Sequence, residues 1–122
     1  ITNKPLNMDT AAEALKDILP PPGPTKITIE MIQKEVCSYY NVETSELISK
    51  KRHKQIVLPR QVAMYLCRSL TDASFPQIGD QFGGRDHTTV IHSVEKMERE
   101  IQTDLELAAV IEMFTHKFDS FR

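Results

Sequence analysis

Two adjacent glycines, Gly83-Gly84, constrain this chain more than any other feature, because helix-start signals lie on both sides of them. Glycine takes the left-handed backbone conformation at no steric cost, so the pair can close one helix and turn sharply into the next. Upstream, Ser74 is suited to cap a helix and Pro76 falls in its first turn, where a missing N–H is harmless. Gln77 completes an S-x-x-Q capping box. Downstream, Asp86 can cap a second helix and sits well against the positive end of its dipole. The run 74–93 therefore predicts helix, tight turn, helix.

The second helix has two faces. Val90, Val94, Met97 and Ile101 recur at spacings of four, three and four, which puts them on one inward stripe. His87, Thr88, Thr89, His92 and Lys96 fall largely off that stripe. Two helices joined by a short Gly-containing turn form the helix-turn-helix pattern, whose second helix offers its N-terminal residues to base edges in the DNA major groove. The residue types suit base contact, since a carboxylate such as Asp86 can accept from cytosine N4 and a Thr methyl can pack on the thymine methyl. A capped helical hairpin with a polar face also occurs in all-α domains that never meet nucleic acid, so spacing alone does not decide the matter.

Charge distribution adds to the case. The formal net charge of −2 argues against a polyanionic partner at first sight. Yet residues 47–71 carry six basic residues and no acid, while 1–46 and 95–122 each carry seven acids against four basic residues. A local patch, more than the total, sets the electrostatic footprint on DNA. Within the patch, Ser49-Lys50-Lys51-Arg52-His53-Lys54-Gln55 is too polar for a core and reads as a solvated loop whose single sign suits phosphate contact and minor-groove insertion. Leu58-Pro59-Arg60-Gln61 then opens a helix with Pro59 near its first position and Val62, Ala63, Leu66, Cys67 and Leu70 on its buried side. Arg60 and Gln61 fall where helix N–H groups attract phosphate; pairing of Arg60 with Asp80 or Asp86 is the competing expectation.

Elsewhere the chain divides simply. Residues 1–19 end in a helical segment with Ala11, Ala14, Leu15 and Ile18 on one side, and the opening at Ile1 instead of Met suggests a piece of a longer protein. Residues 20–26, with Pro20-Pro21-Pro22-Gly23-Pro24, form a semi-rigid spacer. A domain over 27–122 follows. Thr28 starts its first helix, with Ile29, Ile32, Val36 and Tyr39 or Tyr40 on one face, and Ser45 or Thr44 caps a short turn of helix at 45–48. Leu105, Leu107, Ala108, Ile111, Met113, Phe114 and Phe118 describe one or two closing helices packed on the first helix and the recognition helix. Cys37 and Cys67 lack metal-ligand or scaffold spacing and read as buried free thiols. His87 and His92 are five apart, off the H-x-x-x-H spacing, and neither a metal quartet nor a catalytic cluster is indicated. No run approaches the length of a membrane span.

The string Ile78-Gly79-Asp80-Gln81-Phe82-Gly83-Gly84-Arg85-Asp86-His87-Thr88-Thr89-Val90-Ile91-His92-Ser93 closely resembles the signature of the bacterial chromosomal replication initiators, the DnaA family, and the likeness extends over roughly 27–97. The resemblance implies an all-α, Trp-repressor-like helix-turn-helix domain of five to six helices, preceded by a short helix at 1–19 that matches the end of an AAA+ lid. It implies recognition of double-stranded DNA at the replication origin, one domain per DnaA box. Asp86, His87 and Thr88 would read the major groove, with Thr89, Ile91 and Pro76 in apolar contact. Arg52, in K-R-x-x-x-x-x-x-P-R-Q, matches the arginine that enters the minor groove. Lys50, Lys51, Lys54, Arg60, Gln61, Arg85 and Lys96 would hold the DNA backbone. Glu95 departs from a basic pair found in some members, which implies weaker backbone contact at that end.

The same resemblance implies no catalysis and no cofactor in this piece. ATP or ADP with Mg would belong to an AAA+ domain, whose Walker motifs are absent here. Expected partners are origin DNA, other initiator protomers and regulatory proteins, in the bacterial cytoplasm. Family members also meet acidic phospholipids, but Glu30, Lys34 and Glu35 do not make the basic face that such a surface selects. Two alternatives remain beside this: a dimeric helix-turn-helix transcriptional regulator, and a module that docks a replication regulator.

Overall fold

The computed structural model describes residues 26–119. Six helices and no strand occur among them: α1 (Ile29–Tyr40), α2 (Thr44–Leu47), α3 (Lys54–Leu70), α4 (Phe75–Gln81), α5 (His87–Thr103) and α6 (Leu105–Asp119). The expected all-α class is what the chain adopts. The helix expected within 1–19 and all of the spacer at 20–26 except Lys26 lie outside the described residues.

α3 is the central element. α1, α4, α5 and α6 each pack on it, and α5 also lies against α4 and α6. The core draws on all six helices: Ile32 and Val36 of α1, Leu47 of α2, Val62, Met64, Leu66 and Cys67 of α3, Ile78 of α4, Val90, Val94 and Met97 of α5, and Phe114 and Phe118 of α6. Burying an aliphatic or aromatic side chain of this kind is worth about 1.5–3 kcal/mol. The inward stripe of α5 is thus the adhesive that leaves its opposite face free.

Local chemistry explains most helix boundaries. Thr28 caps α1 by accepting from Met31 N, and Asn41, at φ 59°, closes it in the left-handed conformation. Ser74 and Gln77 form the expected capping box on α4. Arg68 fixes the corner between α3 and α4, donating to the Ala73 carbonyl at 3.2 Å with its guanidinium 4.2 Å from the Phe75 ring centre. α6 is tied to α1 by Lys117 and Glu35 and by the edge-on rings of Tyr39 and Phe114.

Three expectations are corrected. α3 begins at Lys54, so Pro59 lies inside the helix and Lys54 and Gln55 form its first turn instead of loop. The donor that Pro59 lacks would have met the carbonyl of Gln55, an exposed residue that water can serve, so the helix tolerates the proline there. α2 is capped by Glu43, whose N–H donates to Glu46 Oε1 at 3.2 Å, not by Thr44 or Ser45. Leu105, 83 % exposed, and Met113 stand outside the core that Leu107, Ile111, Phe114 and Phe118 of α6 enter.

Candidate nucleic-acid interface

The N-terminal turn of α5 is built from its own sequence. Asp86, in extended backbone, accepts from Thr88 N at 3.3 Å through Oδ2, and its carbonyl accepts from Thr89 N at 3.0 Å. The carboxyl group is held below its ordinary range, chiefly by the Thr88 side chain and also by His87, whose Nδ1 lies 3.5 Å from Asp86 Oδ1. A fixed carboxylate, an imidazole and two hydroxyl-and-methyl side chains therefore stand at one helix tip. His87, Thr88, Thr89 and His92 are exposed there, Ile91 is half-buried, and Val90 goes wholly into the core. Pro76 is exposed on the first turn of α4.

The basic run leaves α2 as a loop and enters α3. Lys50, Arg52 and Lys54 are exposed and form no ion pair among the described residues. Lys51 donates its N–H to Ser49 Oγ and brings Nζ to 4.0 Å from Glu46, a separation at which an exposed pair holds little. Lys50 and Arg52 line one wall of a cleft of about 520 Å³. Arg60, Gln61, Met64 and Val57 of α3, the glycine turn, and Arg85, Asp86, Thr89 and Ser93 line the rest. The structure thus brings Lys50, Arg52, Arg60, Gln61, Arg85, Asp86 and Thr89 to one cleft. His87, Thr88, His92, Lys96, Lys54, Lys51, Ile91 and Pro76 lie outside its lining. Lys96 is paired along its own helix with Glu100 at 3.8 Å.

Arg60 and Arg85 stand differently from expectation. Arg60 is 6 % exposed; its Nε donates to the Leu47 carbonyl at 2.8 Å and its Nη2 to those of Ser49 and Glu46 at 3.0 and 3.3 Å. Neither Asp80 nor Asp86 pairs with it. Arg85, half-buried, donates Nη1 to the Phe82 carbonyl and Nη2 to the Ser49 carbonyl at 2.7 Å. Both guanidiniums were expected to face phosphate; Arg60 turns to carbonyls at and just past the C-terminal end of α2, and Arg85 to one of these, that of Ser49, and to that of Phe82 at the end of α4. Those carbonyls have no further helical turn to serve them, and the planar fork of arginine meets several at once. A phosphate would have to compete with them.

Burial lowers the pKa of each of these guanidiniums, and each is lowered further by the next charge in line, Arg85 acting on Arg60 and Arg52 on Arg85. Lys50, Arg52, Arg60 and Arg85 against the single carboxylate of Asp86 give the cleft lining an excess of positive charge, which favours anions.

Sequence reasoning missed several supports. Gln33 is buried in α1 and donates Nε2 to the Gln81 carbonyl at 2.8 Å, serving the C-terminal end of α4. Gly79 is buried where an added Cβ would come within 2.2 Å of the Arg85 carbonyl. No local pattern distinguishes either residue. Among the described residues no group of three or more His, Cys, Asp or Glu could hold a metal, and no helix is long and apolar enough to cross a membrane. Cys37 and Cys67 are free and buried, and burial pushes both thiols up.

Comparison with known proteins agrees with the geometry. The family model described as bacterial dnaA protein helix-turn-helix matches residues 29–97. The chromosomal replication initiator protein DnaA of Geobacter metallireducens (strain ATCC 53774 / DSM 7210 / GS-15) is 50% identical over 113 residues, covering 92% of this chain and 25% of that protein. This chain thus spans about a quarter of the length of that curated relative. A crystal structure of a DNA replication initiation factor superposes with a TM-score of 0.68 at 33% identity, over 77% of this chain and 29% of the other.

Proposed function

This chain belongs to the bacterial DnaA family, and from that premise we propose that its helix-turn-helix domain binds double-stranded DNA in a replication initiator, recognising DnaA boxes at the origin. The observation that carries the reading is the shared cleft, which Arg52 and Lys50 line together with Asp86 and Thr89 at the tip of α5. A helix fits the major groove, and an arginine a short span away can enter the neighbouring minor groove.

Asp86, His87 and Thr88 read base edges in the major groove, with Thr89, Ile91 and Pro76 packing on methyl groups. Arg52 reads the minor groove, where the absence of the guanine amino group marks A·T pairs. Lys50, Lys51, Lys54, Gln61 and Lys96 hold phosphates and set the register. Arg60 and Arg85 join that set only through the N–H groups that the carbonyls leave over, those on Nη1 of Arg60 and Nε of Arg85 among them.

The domain works by binding, without a catalytic step or a cofactor of its own. In the whole protein, residues 1–19 end an AAA+ lid and 20–26 link it to this domain at 27–122; ATP or ADP with Mg serves the AAA+ part. Other protomers and regulatory proteins are the remaining partners, in the cytoplasm at the nucleoid.

Fluorescence anisotropy with a DnaA-box duplex and a shuffled duplex of equal length, across a salt series, tests the reading. Tight binding to the box alone, with affinity falling steeply as salt rises, is the expected result. Equal, weak binding to both duplexes would reduce the domain to a basic-patched helical module.

A further inference from the structure

The backbone of residues 46–49 is gripped from two directions. From the body of the domain, Arg60 of α3 reaches the Leu47 and Ser49 carbonyls at 2.8 and 3.0 Å. From the reading head, Arg85 reaches the same Ser49 carbonyl at 2.7 Å while its other terminal nitrogen serves Phe82. The turn also presses on this segment directly: a Cβ on Gly83 would sit 2.1 Å from the Ile48 carbonyl. Arg52 follows three residues after Ser49, and its charge is felt at Arg85.

We propose that Arg85 is a positioning residue for minor-groove readout: its bond to the Ser49 carbonyl ties the basic loop to the helix-turn-helix and thereby sets where Arg52 stands relative to the tip of α5. The inference rests on the DNA-binding reading above and deepens it. Arg60 alone would fix the loop to the body of the domain. Arg85 lies one residue before the Asp86 cap, so it makes loop and recognition helix a single reading unit. Lysine cannot replace it, since an ammonium is a point charge on a flexible stem and cannot hold two carbonyls in a fixed fork. On entering the minor groove, a loop freed from this tie keeps its charge and loses its placement.

The test uses Arg85→Lys, Arg52→Ala and the double variant. The probe is a box duplex in which single A·T pairs are replaced by 2,6-diaminopurine·T. That replacement adds an amino group in the minor groove and leaves the major-groove edge like A·T. For the unsubstituted domain, diaminopurine at positions read by Arg52 should weaken binding about five- to tenfold, and Arg52→Ala should abolish that penalty. Arg85→Lys should abolish it too, leave the discrimination carried by Thr88 intact and leave the salt slope unchanged, because the charge is retained. The double variant should match Arg52→Ala.

Uniform weakening of Arg85→Lys on every duplex with the full diaminopurine penalty kept would overturn the proposal. Losses of affinity for the box duplex that add in the double variant would do the same. If Arg85→Lys does not fold, the unsubstituted protein answers through arginine side-chain 15N spectra. Guanidinium signals of Arg85 whose hydrogen bonds persist when DNA is added support the tie, whereas exchange of the Nη2 bond to the Ser49 carbonyl for a DNA phosphate refutes it. The two readings fail separately. Loss of box-over-shuffled preference in the unsubstituted domain sinks the DNA-binding reading, while retained preference with an intact penalty in Arg85→Lys sinks only this one.

Discussion

The tip of α5 and the basic loop stand at one cleft and are made in opposite ways. The tip organises itself: Asp86 caps it, Thr88 and His87 hold the carboxylate, and Val90 anchors it one turn later. The loop has little order of its own and borrows it from Arg60, 11 residues after Ser49, and Arg85, 36 residues after it. Base readout in the major groove thus rests on local chemistry, and the minor-groove arm rests on long-range bonds. A substitution in the tip should be felt at one base pair, while a substitution in the turn should reach the loop.

The contrast is most vulnerable at the turn. Gly83 and Gly84 both have positive φ, 85° and 75°, but only Gly83 faces a neighbour, the Ile48 carbonyl. Gly83→Ala should lower stability by about 2–4 kcal/mol through strain and overlap together. Gly84→Ala should cost about 1–2 kcal/mol from strain alone. Urea unfolding of both variants decides this, and equal losses would mean that turn and loop are not closely joined.

Thr88→Ala should cost about 1–3 kcal/mol on the box duplex and little on shuffled DNA, as anisotropy would show. Equal weakening on both would remove Thr88 from base readout. Lys96→Ala should weaken both duplexes alike and reduce the salt slope by about one. Since its pair with Glu100 is exposed, the loss in stability should stay within about 0.5 kcal/mol. An unchanged slope would take Lys96 out of the phosphate set.

The smallest effect concerns pH at the tip. The folded pKa of Asp86 is lowered, so its contribution is present above the unfolded value and is lost as pH falls through the lower, folded value. The stability difference between the protein and Asp86→Asn should therefore stay constant from about pH 7 to about pH 5 and shrink only below the ordinary carboxylate range. A difference that already declines near pH 5 would contradict the hold of Thr88 on the carboxylate.

The same division governs what the sequence discloses. The capping box of Ser74 and Gln77, the Asp86 cap, the glycine stop and the stripe of Val90, Val94 and Met97 are all legible, because each depends on neighbours within four residues. The start of α3 is read too late, since Pro59 resembles a first-turn proline while the helix already begins at Lys54. Arg60 and Arg85 read as phosphate ligands because a basic residue beside a predicted interface looks the same whether it meets phosphate or a carbonyl from a distant turn. Gln33 leaves no trace at all, its partner lying 48 residues away. Charge counts locate the patch and do not say which of its members are free.

Whether loop and tip form one interface is decided by backbone amide shifts on titration with a box duplex. Amides at 50–54 and 86–92 should shift together along one binding curve, with α6 (Leu105–Asp119) unmoved on its outer face. Shifts centred on α6, or on the tip with the loop silent, would contradict a joint interface.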